Sequence, residues 1–360
     1  MKTTLSICIP TYNRAVFIGE TLQSIITQAT DDIEIVVSDN ASTDNTEDII
    51  RSYSAKFSKI IYIRQAENLG ADSNFMNVVA NASGEYCWLF GSDDVMREGA
   101  LSDVLTALKA EPAVLLSNRM DCDFYLHPMQ IRKWLADSPQ QCSFDFSLDK
   151  DFIKYFESAT SLGAAFSYLS SIVVRRSLWN AISMNSRFMG TAYSHVYKIM
   201  SILIRGEILL YHPEWTVYSR TGNDSFMEHG YVRRVLLDIN GYTALANTLL
   251  EERTCARKSF LSVLQQEHPL LRLIRFVAAA SDEGIWPDVR VRFLEAGFNQ
   301  TVLNRAEHIA TAWWFKPLFV RKALLVFRRA LLVIIGYIRY RRPNVKQRFK
   351  QLSEMKNAER

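Results

Sequence analysis

Four short apolar runs, each separated from the next by a polar loop and a helix-period segment, limit what the first hundred residues can become. Residues 5–9 favour β structure, Pro10-Thr-Tyr-Asn13 breaks them, and Phe17, Leu22, Ile25 and Ile26 then recur at helical spacing. Ile33-Glu-Ile-Val-Val37 repeats the theme, with turn formers and helix caps from Ser38 to Thr46 behind it. Residues 60–63 make a third strand, Asn68-Leu-Gly70 turns the chain, residues 74–80 read as a helix, and residues 86–90 supply a fourth strand. This alternation predicts an α/β fold: a Rossmann-like, mostly parallel sheet flanked by helices, with right-handed crossovers.

The fourth run ends in Gly91-Ser-Asp-Asp94. Two adjacent carboxylates at the carboxyl end of a strand lie where open α/β sheets bind ligands. Unneutralised, they repel each other, and oxygen ligands of this kind suit Mg2+ or Mn2+. A helix cap is the plainer alternative for either residue. The loop after the first strand has no Gly-x-Gly-x-x-Gly, which disfavours a dinucleotide cradled on the first helix.

At 360 residues and 48% apolar composition the chain can bury a substantial core. Its five cysteines are odd in number and lack paired spacing, which fits a reducing compartment better than a disulfide framework. The first apolar stretch is too short for a secretory signal. Residues 316–350 hold eleven Lys or Arg and no Asp or Glu, while the remainder has 31 basic against 38 acidic residues. A mildly acidic body with a basic, apolar tail predicts contact with an anionic membrane surface, not with nucleic acid. The uninterrupted apolar part, residues 330–338, is much shorter than the ~20 residues of a bilayer span, so it should lie along the membrane. Packing on the protein's own core, or on a second copy in a homo-oligomer, is the competing expectation.

Ile9-Pro-Thr-Tyr-Asn13, Val37-Ser-Asp-Asn-Ala-Ser-Thr-Asp44, Asn68-Leu-Gly70 and Gly91-Ser-Asp-Asp94 resemble, in order and spacing, family 2 glycosyltransferases with the GT-A fold. The resemblance implies a nucleotide-sugar donor whose base and ribose lie against Pro10, Thr11 and Asp39, with Asn68 and Asn74 nearby. Ser92-Asp93-Asp94 looks like the family's metal motif, with Asp94 as ligand and Asp93 close to both metal and sugar. A divalent cation would stabilise the leaving diphosphate by several kcal/mol in general, and a general base would add about 10² to 10⁴-fold.

Two departures stand out. The arginine common after Asn-x-Gly is absent, with Asn74 and Phe75 in its neighbourhood, and the usual Glu-Asp is replaced by Tyr193-Ser-His195. His195 is therefore the expected base, with packing at a helix start as its alternative, and Asp224 is second choice. A short strand at residues 208–211 and a polar loop should follow, from which Arg220 would grip the diphosphate and His229 would reach metal or phosphate.

Gly84-Glu-Tyr-Cys-Trp-Leu-Phe-Gly-Ser-Asp-Asp94, Phe166-Ser-Tyr-Leu-Ser-Ser171, Gly190-Thr-Ala-Tyr-Ser-His-Val196 and Asn223-Asp-Ser-Phe226 also resemble, over about residues 1–230, bacterial abequosyltransferases of O-antigen synthesis. That likeness implies transfer of a 3,6-dideoxyhexose from a CDP donor to a polyprenyl-diphosphate-linked oligosaccharide, at the cytoplasmic face of the inner membrane. The expected organisation is a catalytic domain at 1–230, a helical region at 231–310 and a membrane-associating tail at 311–360. A UDP-sugar transferase of capsule or wall synthesis and a non-catalytic nucleotide-binding scaffold are the rival expectations.

Overall fold

The structure, a computed structural model, describes residues 3–136, 138, 140–223 and 230–312. Strands β1 (Leu5–Thr11), β2 (Ile33–Asp39), β3 (Ile60–Arg64) and β4 (Tyr86–Leu89) are parallel, in the order β3-β2-β1-β4. Every residue of β2 and β4 is buried, which is why these strands read as continuous rather than alternating apolar runs. Helices α1 (Ile18–Ile26), α2 (Thr46–Ser54) and α3 (Ala71–Ala80) join them and bury Leu22 and Ile25, Ile50, and Val78 and Val79 respectively.

Beyond β4 the sheet becomes mixed. The chain continues through β5 (Val95–Met96), α4 (Ala100–Leu108), β6 (Val114–Cys122), β7 (Pro128–Arg132), β8 (Cys142–Asp145) and α5 (Asp149–Ser158). It then forms β9 (Ile172–Arg175), α6 (Arg176–Ala181), α7 (Ser194–Leu203) and β10 (Ile208–Arg220). The order runs on as β9-β6-β10-β5, with β9 antiparallel to both β4 and β6, and β10 parallel to β6. The stretch after residue 121, which shows no clear period, supplies β7 and β8 as added edges on β6 and β10. Ahead of β9, Leu162–Ala165 and Leu169–Ser171 form short 3₁₀ turns, the first closed by Phe166 with φ +65°. β10 runs thirteen residues, not four: register shifts between His212 and Val217 carry the pairing past Pro213.

Helices α8 (Tyr231–Leu249), α9 (Thr254–Glu267), α10 (Leu270–Asp282), α11 (Trp286–Glu295) and α12 (Gln300–Thr311) follow. The described residues divide into two compact units, those up to 269 with 285–299, and 270–284 with 300–312. The first unit therefore extends well past residue 230. The Tyr242 hydroxyl of α8 donates to the Ala165 carbonyl (2.9 Å), and Phe260 of α9 packs edge-on against Phe156 (5.1 Å), so both helices complete the core of the first unit. In the second unit α10 and α12 pack on each other. The expected membrane helix, Asp224 and His229 lie outside the described residues. Among those described, no helix is long and apolar enough to cross a membrane.

Candidate active site

The loops after β1 and β2 lock together at the carboxyl edge of the sheet. Backbone N–H groups of Asn13, Arg14 and Ala15 donate to Ser42 Oγ (2.8 Å), Thr46 Oγ1 (2.9 Å) and Asp44 Oδ2 (3.0 Å), and Thr43 N–H donates back to Asn13 Oδ1 (2.8 Å). This interlock explains why the two motifs occur together. Thr11 and Asp39 face each other across the strand pair. Asp39 is fully buried, with Oδ1 accepting from Ser42 N–H (2.8 Å) and Oδ2 from the Tyr62 hydroxyl (2.8 Å). Thr11 is buried with its hydroxyl lacking a partner among the described residues, an orphaned polar atom of the kind a ligand satisfies. Pro10 beside it is half-buried.

Two of the expected donor contacts serve the scaffold. Asn74 accepts from Ser38 Oγ (2.6 Å) and Gln65 Nε2 (2.8 Å) and donates to the Thr11 carbonyl (3.2 Å). Its amide braces the ends of β1, β2 and β3, so its effect on a ligand is indirect. Asn68 is exposed and accepts from Asn40 Nδ2 (2.7 Å) and Gly70 N–H (2.9 Å), shaping the turn into α3.

The acid turn follows β4. Thr21 of α1 donates to the carbonyls of Asp94 (2.8 Å) and Ser92 (3.1 Å), tying the turn down; both of those residues are buried and Asp93 is half-buried. Asp94 Oδ2 accepts from the Tyr168 hydroxyl (2.6 Å) and Ser170 Oγ (2.5 Å), while Ser170 Oγ accepts from Gly91 N–H (2.7 Å). Position 91 has to be glycine, because a Cβ there would stand 2.8 Å from Asp94 Oδ2. Burial, and then the neighbouring Asp93 charge, push the Asp94 carboxyl up to about 7 against the opposing pull of Ser170, Tyr168 and Arg119. Asp93 Oδ2 accepts from Asn223 Nδ2 (2.5 Å).

Among the described residues, no three His, Cys, Asp or Glu side chains gather into a self-sufficient metal cage. The pair nevertheless fits Mg2+ or Mn2+, which often take one or two carboxylates and complete their shell with water and substrate phosphates. A buried carboxyl held up by a like charge is one that a cation would ionise.

His195 takes the alternative place, packed at a helix start, and Arg220 lies outside the expected loop. His195 is buried in the first turn of α7, and its Nε2–H donates to the Phe166 carbonyl (3.0 Å). Burial lowers its pKa to about 4, so the imidazole is neutral near pH 7, and its ring packs among buried side chains. Arg220 lies on β10, not in a loop, and its side chain is 5% exposed. It pairs with Glu20 (2.5 Å), donates to the carbonyls of Phe124 (2.5 Å) and Asp93 (3.3 Å), and stacks over Phe17 (4.9 Å). Its fork is thus occupied by protein, and it acts as a strut beneath Asp93. Sequence reasoning does not single out Tyr168, Ser170 or Thr21; the first two sit in the hydroxyl-rich run Phe166-Ser-Tyr-Leu-Ser-Ser, the one local hint available.

A parallel half-sheet with interlocked polar loops, a buried hydroxyl and carboxylate on its first two strands and an acid turn after the fourth defines a GT-A glycosyltransferase. The profile "Glycosyl transferase family 2" matches residues 6–171. The chain is 36% identical over 306 residues to abequosyltransferase RfbV of Salmonella typhimurium, covering 83% of this chain and 91% of that protein. It is 28% identical over 255 residues to the GalNAc(5)-diNAcBac-PP-undecaprenol beta-1,3-glucosyltransferase of Campylobacter jejuni, covering 69% and 74%. Among solved structures, S. aureus TarS 1–349 in complex with UDP-GlcNAc shares the fold, with a TM-score of 0.58 at 15% identity over 85% of this chain and 90% of that one. The chain belongs to glycosyl transferase family 2.

Proposed function

We propose that this glycosyltransferase moves a 3,6-dideoxyhexose of the abequose type from a CDP donor to a polyprenyl-diphosphate-linked oligosaccharide in O-antigen synthesis. The observation that carries the reading is the reach of the likeness to the Salmonella abequosyltransferase. Its 306 aligned residues extend well beyond the family profile at residues 6–171. A lipid-linked acceptor is supported by the undecaprenyl-diphosphate named for the Campylobacter relative. The basic tail, with eleven cationic residues and no acid between 316 and 350, supports peripheral attachment at the cytoplasmic face of the inner membrane.

In the reaction the bond between the anomeric carbon and the diphosphate breaks, the electron pair leaves with the diphosphate, and an acceptor hydroxyl attacks and loses its proton. Thr11 and Asp39 hold the nucleoside end of the donor. Asp93 and Asp94 would hold Mg2+ or Mn2+, which when bound supplies Lewis-acid stabilisation of the leaving charge. Tyr168 and Ser170 fix Asp94 before the donor arrives, which spares the site a reorganisation cost. Asp224 is the proposed proton acceptor, and His229 a further ligand to metal or phosphate.

Nucleotide release by purified protein, with a lipid-linked acceptor and a panel of CDP- and UDP-sugars, tests the reading. Turnover with the CDP-dideoxyhexose, abolished by Asp94→Ala, is expected. Turnover restricted to UDP-sugars would overturn the donor in favour of capsule or wall synthesis, and donor binding without any turnover would overturn catalysis itself.

A further inference from the structure

A second arginine stands beside the acid turn with its fork unused. Arg119, on β6, is pinned at one atom: Nε donates to Asp121 Oδ1 (2.8 Å). Asp121 is buried, and its other oxygen is held by Arg132 Nε (3.0 Å) and Nη2 (2.8 Å) and by Gln130 Nε2 (3.3 Å), so the anchor cannot swing. The Arg119 guanidinium lies over the Tyr168 ring at 4.0 Å, with the Trp134 ring at 5.2 Å. The hydroxyl of that same tyrosine binds Asp94 at 2.6 Å. Two rings and a carboxylate therefore orient a cation one side chain away from the acid turn, while its two terminal amino groups make no hydrogen bond among the described residues and the side chain stays 21% exposed.

A planar fork held by its Nε and left open at both Nη atoms matches a phosphate in bidentate geometry. With the fork of Arg220 consumed by Glu20 and Phe124, Arg119 presents an open fork beside the acid turn that can receive an anion. We infer that Arg119 binds the diphosphate of the donor and of the released nucleotide, taking the role that sequence position alone suggests for Arg220. This rests on the transferase reading above.

Calorimetry with CDP, UDP and GDP and the matching monophosphates, each with Mn2+ and in EDTA, tests it on the full chain. Arg119→Gln should weaken the best-bound diphosphate roughly ten- to a hundredfold in both media, as loss of charge-assisted hydrogen bonds does. The matching monophosphate should change less than about twofold, and Arg119→Lys should restore only part of the loss, since an ammonium lacks the fork. Equal losses for mono- and diphosphate, a lowered melting temperature accounting for both, or no loss at all would overturn the inference. Wild-type protein that binds no nucleoside diphosphate would sink the transferase reading itself.

Discussion

The ring of Phe75 on α3 meets the imidazole of His195 on α7 edge to face, with centroids 5.3 Å apart and planes at 88°. These are the neighbourhoods where the sequence departs from the family pattern, one lacking an arginine and the other an acid. The fold joins the two departures in a single contact.

His195 is accordingly expected to matter for packing and not for proton transfer. The folded imidazole titrates near 4 because it is buried, whereas an unfolded one titrates at about 6.5. The folded state thus binds fewer protons in that window, and the wild type loses stability as pH falls through it. His195→Phe should keep kcat within about tenfold, leave the pH–rate profile unmoved, and lose less stability on acidification than the wild type. A fall in kcat of the 10² to 10⁴-fold size typical of a lost general base, without unfolding, would restore the catalytic role.

Asp94 should show the conflict between stability and function directly. Its carboxyl is raised to about 7 by burial and by Asp93, so the folded state binds a proton more tightly than the unfolded chain, and stability declines as pH rises from about 4 to 7. Asp94→Asn preserves an oxygen for Tyr168 and Ser170 but removes the charge. In EDTA its melting temperature should exceed that of the wild type at pH 8 and match it near pH 4, while sugar transfer is lost. A melting difference that does not vary with pH would contradict this account.

Much of the donor side was legible because its determinants are local. β1 to β4 announce themselves as buried runs, and their loops carry the Asn, Asp and Ser residues whose side chains close neighbouring turns. What escaped notice is non-local. The partners of Asp94 arrive from 74 and 76 residues downstream, and Glu20 and Arg220 are 200 apart. No local period encodes such pairings. A proline and two register shifts interrupt the alternation of β10, so its sequence reads as a short strand and a loop although Arg220 lies on the strand. The bracing by Asn74 is non-local too, since its three hydrogen-bond partners lie on three different segments.

At the opposite, amino-terminal end of the sheet, Glu34 governs acid stability. It accepts from Ser6 Oγ (2.5 Å), Ser83 N–H (2.6 Å), Ser83 Oγ (2.7 Å) and Gly84 N–H (3.3 Å). Burial alone would raise its pKa, but these hydrogen bonds outweigh burial and lower it. The stabilisation is therefore full above the ordinary glutamate range and disappears as pH falls through the depressed folded value. In urea titrations Glu34→Gln should cost about 1–3 kcal/mol at pH 7 and progressively less toward pH 3. A cost that stays constant over that range would show that charge plays no part.

Arg220 separates the two arginines by experiment. With its side chain 5% exposed and its guanidinium shared among Glu20, the Phe124 carbonyl and the Asp93 carbonyl, it holds β10, α1 and the hairpin tip around the acid turn. Arg220→Met keeps the apolar stem but strands those acceptors, so a loss of about 1–3 kcal/mol in urea unfolding is expected. Glu20 is 59% exposed and can turn to water, so most of that cost should come from the two carbonyls rather than from the ion pair. Because all three of its nitrogens are engaged by protein, the ratio of diphosphate to monophosphate affinity should be preserved even where both affinities slip. Unchanged stability together with a selective loss of diphosphate binding would return the phosphate clamp to Arg220.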